Sequence, residues 1–123
     1  MGKLEAKNIE KFFEHDGKPL KALGGVNLTV EDGEFICVVG PSGCGKSTFL
    51  RILAGLEKPD GGEILLDGKK LDDTGPDRIM VFQEGALFPW LTVKDNVEYG
   101  LKIAGIPNEE RNDISKRYLD MMQ

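Results

Sequence analysis

The hydrophobic pattern changes period three times along the chain. Leu4–Phe13 and Leu20–Val30 read as strands, and Val26–Val30 (VNLTV) alternates apolar and polar strictly. Asp16-Gly17 lies between them and Glu31-Asp32-Gly33 follows, so the segment reads as an antiparallel hairpin between turns. Phe35–Val39 (FICVV) is then short and continuously apolar, which predicts a strand buried on both faces of a parallel sheet, with Cys37 as a small buried hydrophobe. From Lys46 to Leu56 the apolar positions Phe49, Leu50, Ile52, Leu53 and Leu56 recur at helical spacing, and Gly55 with Pro59-Asp60-Gly61-Gly62 ends the helix.

Beyond this point the elements alternate again. Gly62–Gly68 reads as a strand closing in an Asp-Gly turn, and Arg78–Gln83 (RIMVFQ) as a second strand of the buried kind. Glu84–Leu91 is loop. Thr92-Val-Lys-Asp95 fits a capping box and opens a helix through Ile103. Gly105-Ile-Pro-Asn108 breaks it, and Glu109–Met122 reads as a last helix with Ile114, Tyr118 and Met121 on one side. Strands, a loop and a helix, more strand and two helices predict an α/β domain with an antiparallel subdomain at its N-terminal end.

The chemistry lies at the junction of FICVV and the first helix. Gly40-Pro-Ser-Gly-Cys-Gly45-Lys46-Ser47 matches G-x-x-x-x-G-K-[ST] between a strand pattern and a helix pattern, the context a phosphate loop requires. Glycines let successive N–H groups turn toward one anion, and the helix N-terminus adds unpaired N–H groups and a favourable dipole. Gly40, Ser42, Gly43, Cys44 and Gly45 would form the cradle. Lys46 would reach the β- and γ-phosphates, Ser47 would ligate Mg²⁺, and Thr48 would support the α-phosphate. A nucleotide polyphosphate and Mg²⁺ are the implied ligands. Ile64-Leu65-Leu66-Asp67 imitates an apolar strand ending in a metal-binding acid, but Gly68 follows and a hairpin turn fits better.

Composition narrows the partners. The 123 residues carry a net charge of −5, which gives no reason to expect nucleic acid or anionic lipid. No apolar run approaches the roughly 20 residues of a membrane helix, and the charged start MGKLEAKNIE is unlike a signal peptide, so a cytosolic protein is expected. Cys37 and Cys44 lack metal or redox spacing. His15 lies in a polar turn.

The stretches GVNLTVEDGEFICVVGPSGCGKSTFLRILAGLEKPDGGEILLDGK and VFQEGALFPWLTVKDNVEYGL make the chain resemble the N-terminal half of the ATP-binding subunit of an ABC transporter. FPWLTVKDNV is most similar to importers of the nitrate, sulfonate and taurine group. The resemblance implies a P-loop NTPase (RecA-like) core with an N-terminal antiparallel β-subdomain, incomplete at the C-terminus. Residues 1–92 would hold the β-subdomain and phosphate-loop core, and 93–123 the start of a helical subdomain. Gln83 matches the Q-loop glutamine, which contacts Mg²⁺ and the attacking water. Phe13 matches the aromatic that stacks on adenine, with neighbouring Phe12 then expected in the core, since successive strand residues face opposite sides. The Gln83–Leu91 region, with Phe88, Pro89 and Trp90, would dock a transmembrane permease subunit at the inner face of the cell membrane, without inserting itself. Self-packing under the following helix is the equal alternative for Trp90. A second ATP-binding subunit would complete a homodimer.

Three family elements do not occur in the 123 residues: the LSGGQ signature, the strand ending in the catalytic glutamate, and the switch histidine. A chain of this content is expected to bind ATP without hydrolysing it. Two other readings stay open. One is a different P-loop enzyme such as a nucleotide or nucleoside kinase. The other is a nucleotide-binding module that never hydrolyses.

Overall fold

The computed structural model describes residues 2–123. Two compact units divide it, Met1–Met80 and Val81–Gln123.

The first unit is built on a four-stranded sheet. Strand β1 (Leu4–His15) runs antiparallel to β2 (Lys18–Val30), and β3 (Gly61–Leu66) pairs antiparallel with the other edge of β1. The short β4 (Lys69–Lys70) completes the order β2-β1-β3-β4. Both hairpins turn on an Asp-Gly pair with positive φ at each residue, Asp16 and Gly17 in the first, Asp67 and Gly68 in the second. That is the backbone twist which matches right-handed strands in a two-residue loop. Asp67 also accepts a hydrogen bond from the Lys3 backbone N–H at 2.8 Å, so its carboxylate serves the turn. Two lysines on β4 discourage further strand pairing at that edge.

Helix α1 (Lys46–Leu53) lays Phe49 and Ile52 on this sheet, where they form a core with Ala6, Ile9, Leu23 and Ile64. Leu4, Val26, Leu28, Leu53 and Leu71 surround it. The helix ends three residues before the predicted Leu56. The chain there must turn at Gly55 (φ 80°), where a Cβ would lie 2.5 Å from the Asp73 carbonyl oxygen.

Three expectations fail in this unit. Phe35–Val39 is not a strand. Phe35 is 89% exposed, and Cys37 is exposed rather than buried. Arg78–Gln83, which crosses into the second unit, is likewise irregular, and Val81 is 91% exposed. A strand buried on both faces takes its order from ladder partners and covering helices rather than from local preference. Neither segment pairs with any strand of the described residues. The third concerns Phe12 and Phe13. Neither is in the core, at 38% and 40% exposed. Register shifts at Ala6/Ile9, Ile9/Glu10 and Lys11/Phe12 interrupt the alternation that would have sent one ring inward.

The second unit holds α2 (Val93–Ile103) and α3 (Asn108–Met122). Thr92 caps α2, its Oγ1 accepting from the Asp95 N–H at 3.1 Å. The buried residues of the two helices are polar: Glu98 on α2 and Ser115 on α3. Tyr118 and Met121 are exposed.

Candidate functional site

The phosphate-loop segment is held by the sheet beneath it. Gly43 and Gly45 have φ of 78° and 97°, so both take backbone conformations that side chains disfavour. A Cβ on Gly45 would lie 2.8 Å from the Ala22 carbonyl oxygen and 2.9 Å from Leu23 Cδ2. The loop therefore enters α1 in direct contact with β2. The Cys44 N–H donates to the Pro41 carbonyl at 3.3 Å and closes a turn over Gly43.

Lys46, the first residue of α1, folds back over the loop. Its Nζ donates to the carbonyls of Gly40 at 2.5 Å and Pro41 at 2.8 Å, and lies 3.5 Å from Cys44 Sγ. An ammonium thus stands at the mouth of the loop, beside a helix N-terminus with no side-chain cap. Positive charge, glycine backbone and unpaired helix N–H groups form a donor set suited to a polyphosphate. Ser47 is exposed and Thr48 half-buried, one step further along the helix.

Phe13 lies on the same unit. It pairs with Leu20, two residues along β2 from the Ala22 that Gly45 abuts. At strand spacing the two positions are roughly 7 Å apart along β2. The hairpin thus carries an exposed aromatic ring a short way from the loop.

The second unit carries the other predicted residues. Gln83 is exposed in the irregular segment before α2. A cleft of about 370 Å³ is lined by Leu87, Phe88, Pro89, Leu91, Val93, Asn96 and Val97. Phe88 contacts Tyr99 at 4.5 Å between ring centroids and Trp90 at 5.5 Å. Trp90 nonetheless remains 76% exposed.

One residue here escaped the sequence reading. Asn96 Oδ1 accepts from the Phe88 N–H at 2.8 Å, while its Nδ2 donates to the carbonyls of Phe88 (3.1 Å), Leu91 (3.3 Å) and Thr92 (2.9 Å). A single amide on the first turn of α2 shapes the loop before it. Its signal was an asparagine inside a helix, where that residue type usually seeks backbone partners nearby.

A glycine loop feeding a helix, with its lysine turned back over the loop, defines the class: a P-loop nucleotide-binding fold with an antiparallel β-subdomain. The comparisons specify it further. Residues 23–123 match the family model described as "ABC transporter", and the chain belongs to that family. An uncharacterized ABC transporter ATP-binding protein of Methanocaldococcus jannaschii is 50% identical over 98% of this chain and 45% of its own length. The nitrate import ATP-binding protein of a Synechocystis strain is 46% identical over 97% of this chain and 45% of its own. A solved dimeric ATP-binding cassette in a post-hydrolysis state, bound to ADP and Pi, superposes with a TM-score of 0.83 at 35% identity, over 96% of this chain and 56% of that one. The chain spans about half the length of the curated relatives it matches. The nitrate importer subunit agrees with the group to which the FPWLTVKDNV segment pointed.

Proposed function

We propose that the chain is the Mg-ATP-binding part of the ATP-binding subunit of an ABC importer. The observation that carries this reading is the Lys46 ammonium folded over a glycine loop at the start of α1. The carbonyls of Gly40 and Pro41 carry only partial charge. A phosphate oxygen carries far more, so exchanging them for a triphosphate strengthens the lysine's hydrogen bonds.

In this reading the N–H groups of Gly40, Ser42, Gly43, Cys44 and Gly45 would cradle the phosphates, Lys46 would reach the β- and γ-phosphates, and Thr48 would support the α-phosphate. Ser47 and Gln83 would supply a hydroxyl and an amide oxygen to Mg²⁺, a cation that needs few protein ligands. When bound it neutralises charge on the phosphates. Adenine stacks on Phe13, worth about 1–3 kcal/mol. Gln83–Leu91 docks a transmembrane permease subunit from the cytoplasmic side, and a second copy completes the dimer. Among the described residues no helix is long and apolar enough to cross a membrane. Phosphoryl transfer depends on positioning and electrostatics. The general base and the signature loop do not occur in these residues, so the chain alone binds Mg-ATP without sustained turnover.

Titration calorimetry with Mg-ATP tests the reading. The chain binds, and Lys46→Ala weakens binding at least about tenfold by removing a charge-assisted contact. Equal affinities for the two proteins would sink it.

A further inference from the structure

Lys11 is the lysine on β1 whose side chain is largely withdrawn from water. The side chain is 12% exposed and its Nζ has several fixed partners. It donates to the Lys58 carbonyl at 2.8 Å, pairs with Glu57 at 3.0 Å, and lies 3.9 Å from Asp60. The same nitrogen stands over the Phe13 ring, 5.4 Å from its centroid. The acceptors belong to the segment that leaves α1, since the Glu57 N–H itself bonds back to the Arg51 carbonyl of that helix. The segment is also tied to β1 independently of Lys11. The Asp60 N–H donates to the Glu10 carbonyl at 2.8 Å, and Asp60 Oδ2 accepts from the Phe12 N–H at 2.7 Å.

Phe12 provides an internal comparison. Lys21 Nζ stands over its ring at 5.7 Å, but Lys21 is exposed. Two neighbouring aromatics of equal exposure thus differ in the cation behind them. One cation is clamped, the other lies at the surface.

We infer that Lys11 is a positioning residue for the stacking ring of Phe13, fixing one ring face so that the other is presented to a planar base and joining that ring to the end of the helix that carries the phosphate loop. This rests on the reading of the site as an ATP site. An ammonium held against one face restrains the ring in one orientation, so a base stacking on the opposite face meets an ordered partner. Ordering a side chain otherwise subtracts from affinity. The cation–π attraction supplies the restraint, and it is stronger for a withdrawn ammonium than for an exposed one. Phe13, backed by the clamped Lys11, is therefore the platform rather than Phe12, backed by the exposed Lys21.

The test separates base from phosphate. Mg-ATP and Mg-tripolyphosphate are titrated calorimetrically into the full chain and into Lys11→Met, Lys11→Arg, Phe13→Ala and the Lys11→Met/Phe13→Ala double variant. Lys11→Met is expected to weaken Mg-ATP binding about three- to tenfold while moving Mg-tripolyphosphate by less than about twofold. Lys11→Arg, which keeps a cation over the ring, recovers most of the loss. In the Phe13→Ala background Lys11→Met adds nothing further, because the two residues act as one unit. Parallel weakening of both ligands overturns the inference, since Lys11 would then act only through the Glu57–Asp60 segment. So does a full additive loss in the double variant, or an unchanged Mg-ATP affinity in Lys11→Met. Absence of Mg-ATP binding by the unaltered chain overturns the ATP reading itself, and this inference with it.

Discussion

The Ser115 hydroxyl donates to Glu98 Oε1 at 2.6 Å, joining α3 to α2 through two buried polar side chains. Arg111 Nε lies 3.8 Å from the other carboxylate oxygen, and Lys94 Nζ lies 3.9 Å from Oε1. Neither replaces the hydroxyl, which is 1% exposed with its residue and close to ideal hydrogen-bond length. Ser115→Ala should therefore leave a buried carboxylate oxygen short of a donor, at a cost of about 1–3 kcal/mol. Urea unfolding followed by helical circular dichroism reads this out as a lower midpoint. An unchanged midpoint would mean that water or Lys94 takes over freely.

Asn96→Ala removes four hydrogen bonds to the segment Phe88–Thr92 at once. The Phe88 N–H should lose its protection from hydrogen exchange, and Trp90 fluorescence should shift as its packing on Phe88 loosens. Helix α2 keeps its Thr92 cap, so exchange within the helix itself changes little. Uniform loss of protection through α2 would assign Asn96 to helix stability instead.

Gly45→Ala forces a Cβ against the Ala22 carbonyl oxygen at φ 97°. Strain of this kind costs on the order of 1–3 kcal/mol. The loop must lift from β2 to relieve it, and Mg-ATP affinity should fall about tenfold or more, which is roughly 1.4 kcal/mol. Retention of full affinity would show that the loop does not need this seat on the sheet.

Asp67→Asn separates a turn residue from a metal ligand. Asparagine tolerates the positive φ of 50° and keeps an oxygen for the Lys3 N–H. Mg-ATP affinity should not move, and stability should stay within about 0.5 kcal/mol. A large loss of Mg²⁺-dependent binding would restore the metal-binding alternative for the strand that ends at Leu66.

Locally encoded features were legible in the sequence. Two Asp-Gly pairs, the Thr92 cap and the glycine loop each carry their conformation within a few residues, and the structure has all of them where the pattern put them. Features that depend on distant partners were not. FICVV and RIMVF have the composition of interior strands, yet composition supplies no ladder partner. The hydroxyl of Ser115 and the carboxylate of Glu98 are 17 positions apart and read as ordinary surface residues of two helices. Phe12 and Phe13 behaved in the same way. Alternation assigned Phe12 to the core, and shifts in register that no local signal announced kept both rings outside.

Strand β1 has neighbours on both edges, and they arrive at different times. β2 follows directly, but the register Leu4↔Leu66 closes only after the whole phosphate loop and α1 have been made. During synthesis at about 5–20 residues per second the hairpin has seconds to form with one edge of β1 uncovered. Ile64 then arrives to seal Phe49 and Ile52 against Ala6 and Ile9. The nucleotide loop is thus enclosed within a chain circuit whose clasp is its last segment. Before residue 61 is in place, the hairpin and α1 can meet through Leu23, Ala6 and Ile9, with the second edge of β1 still uncovered.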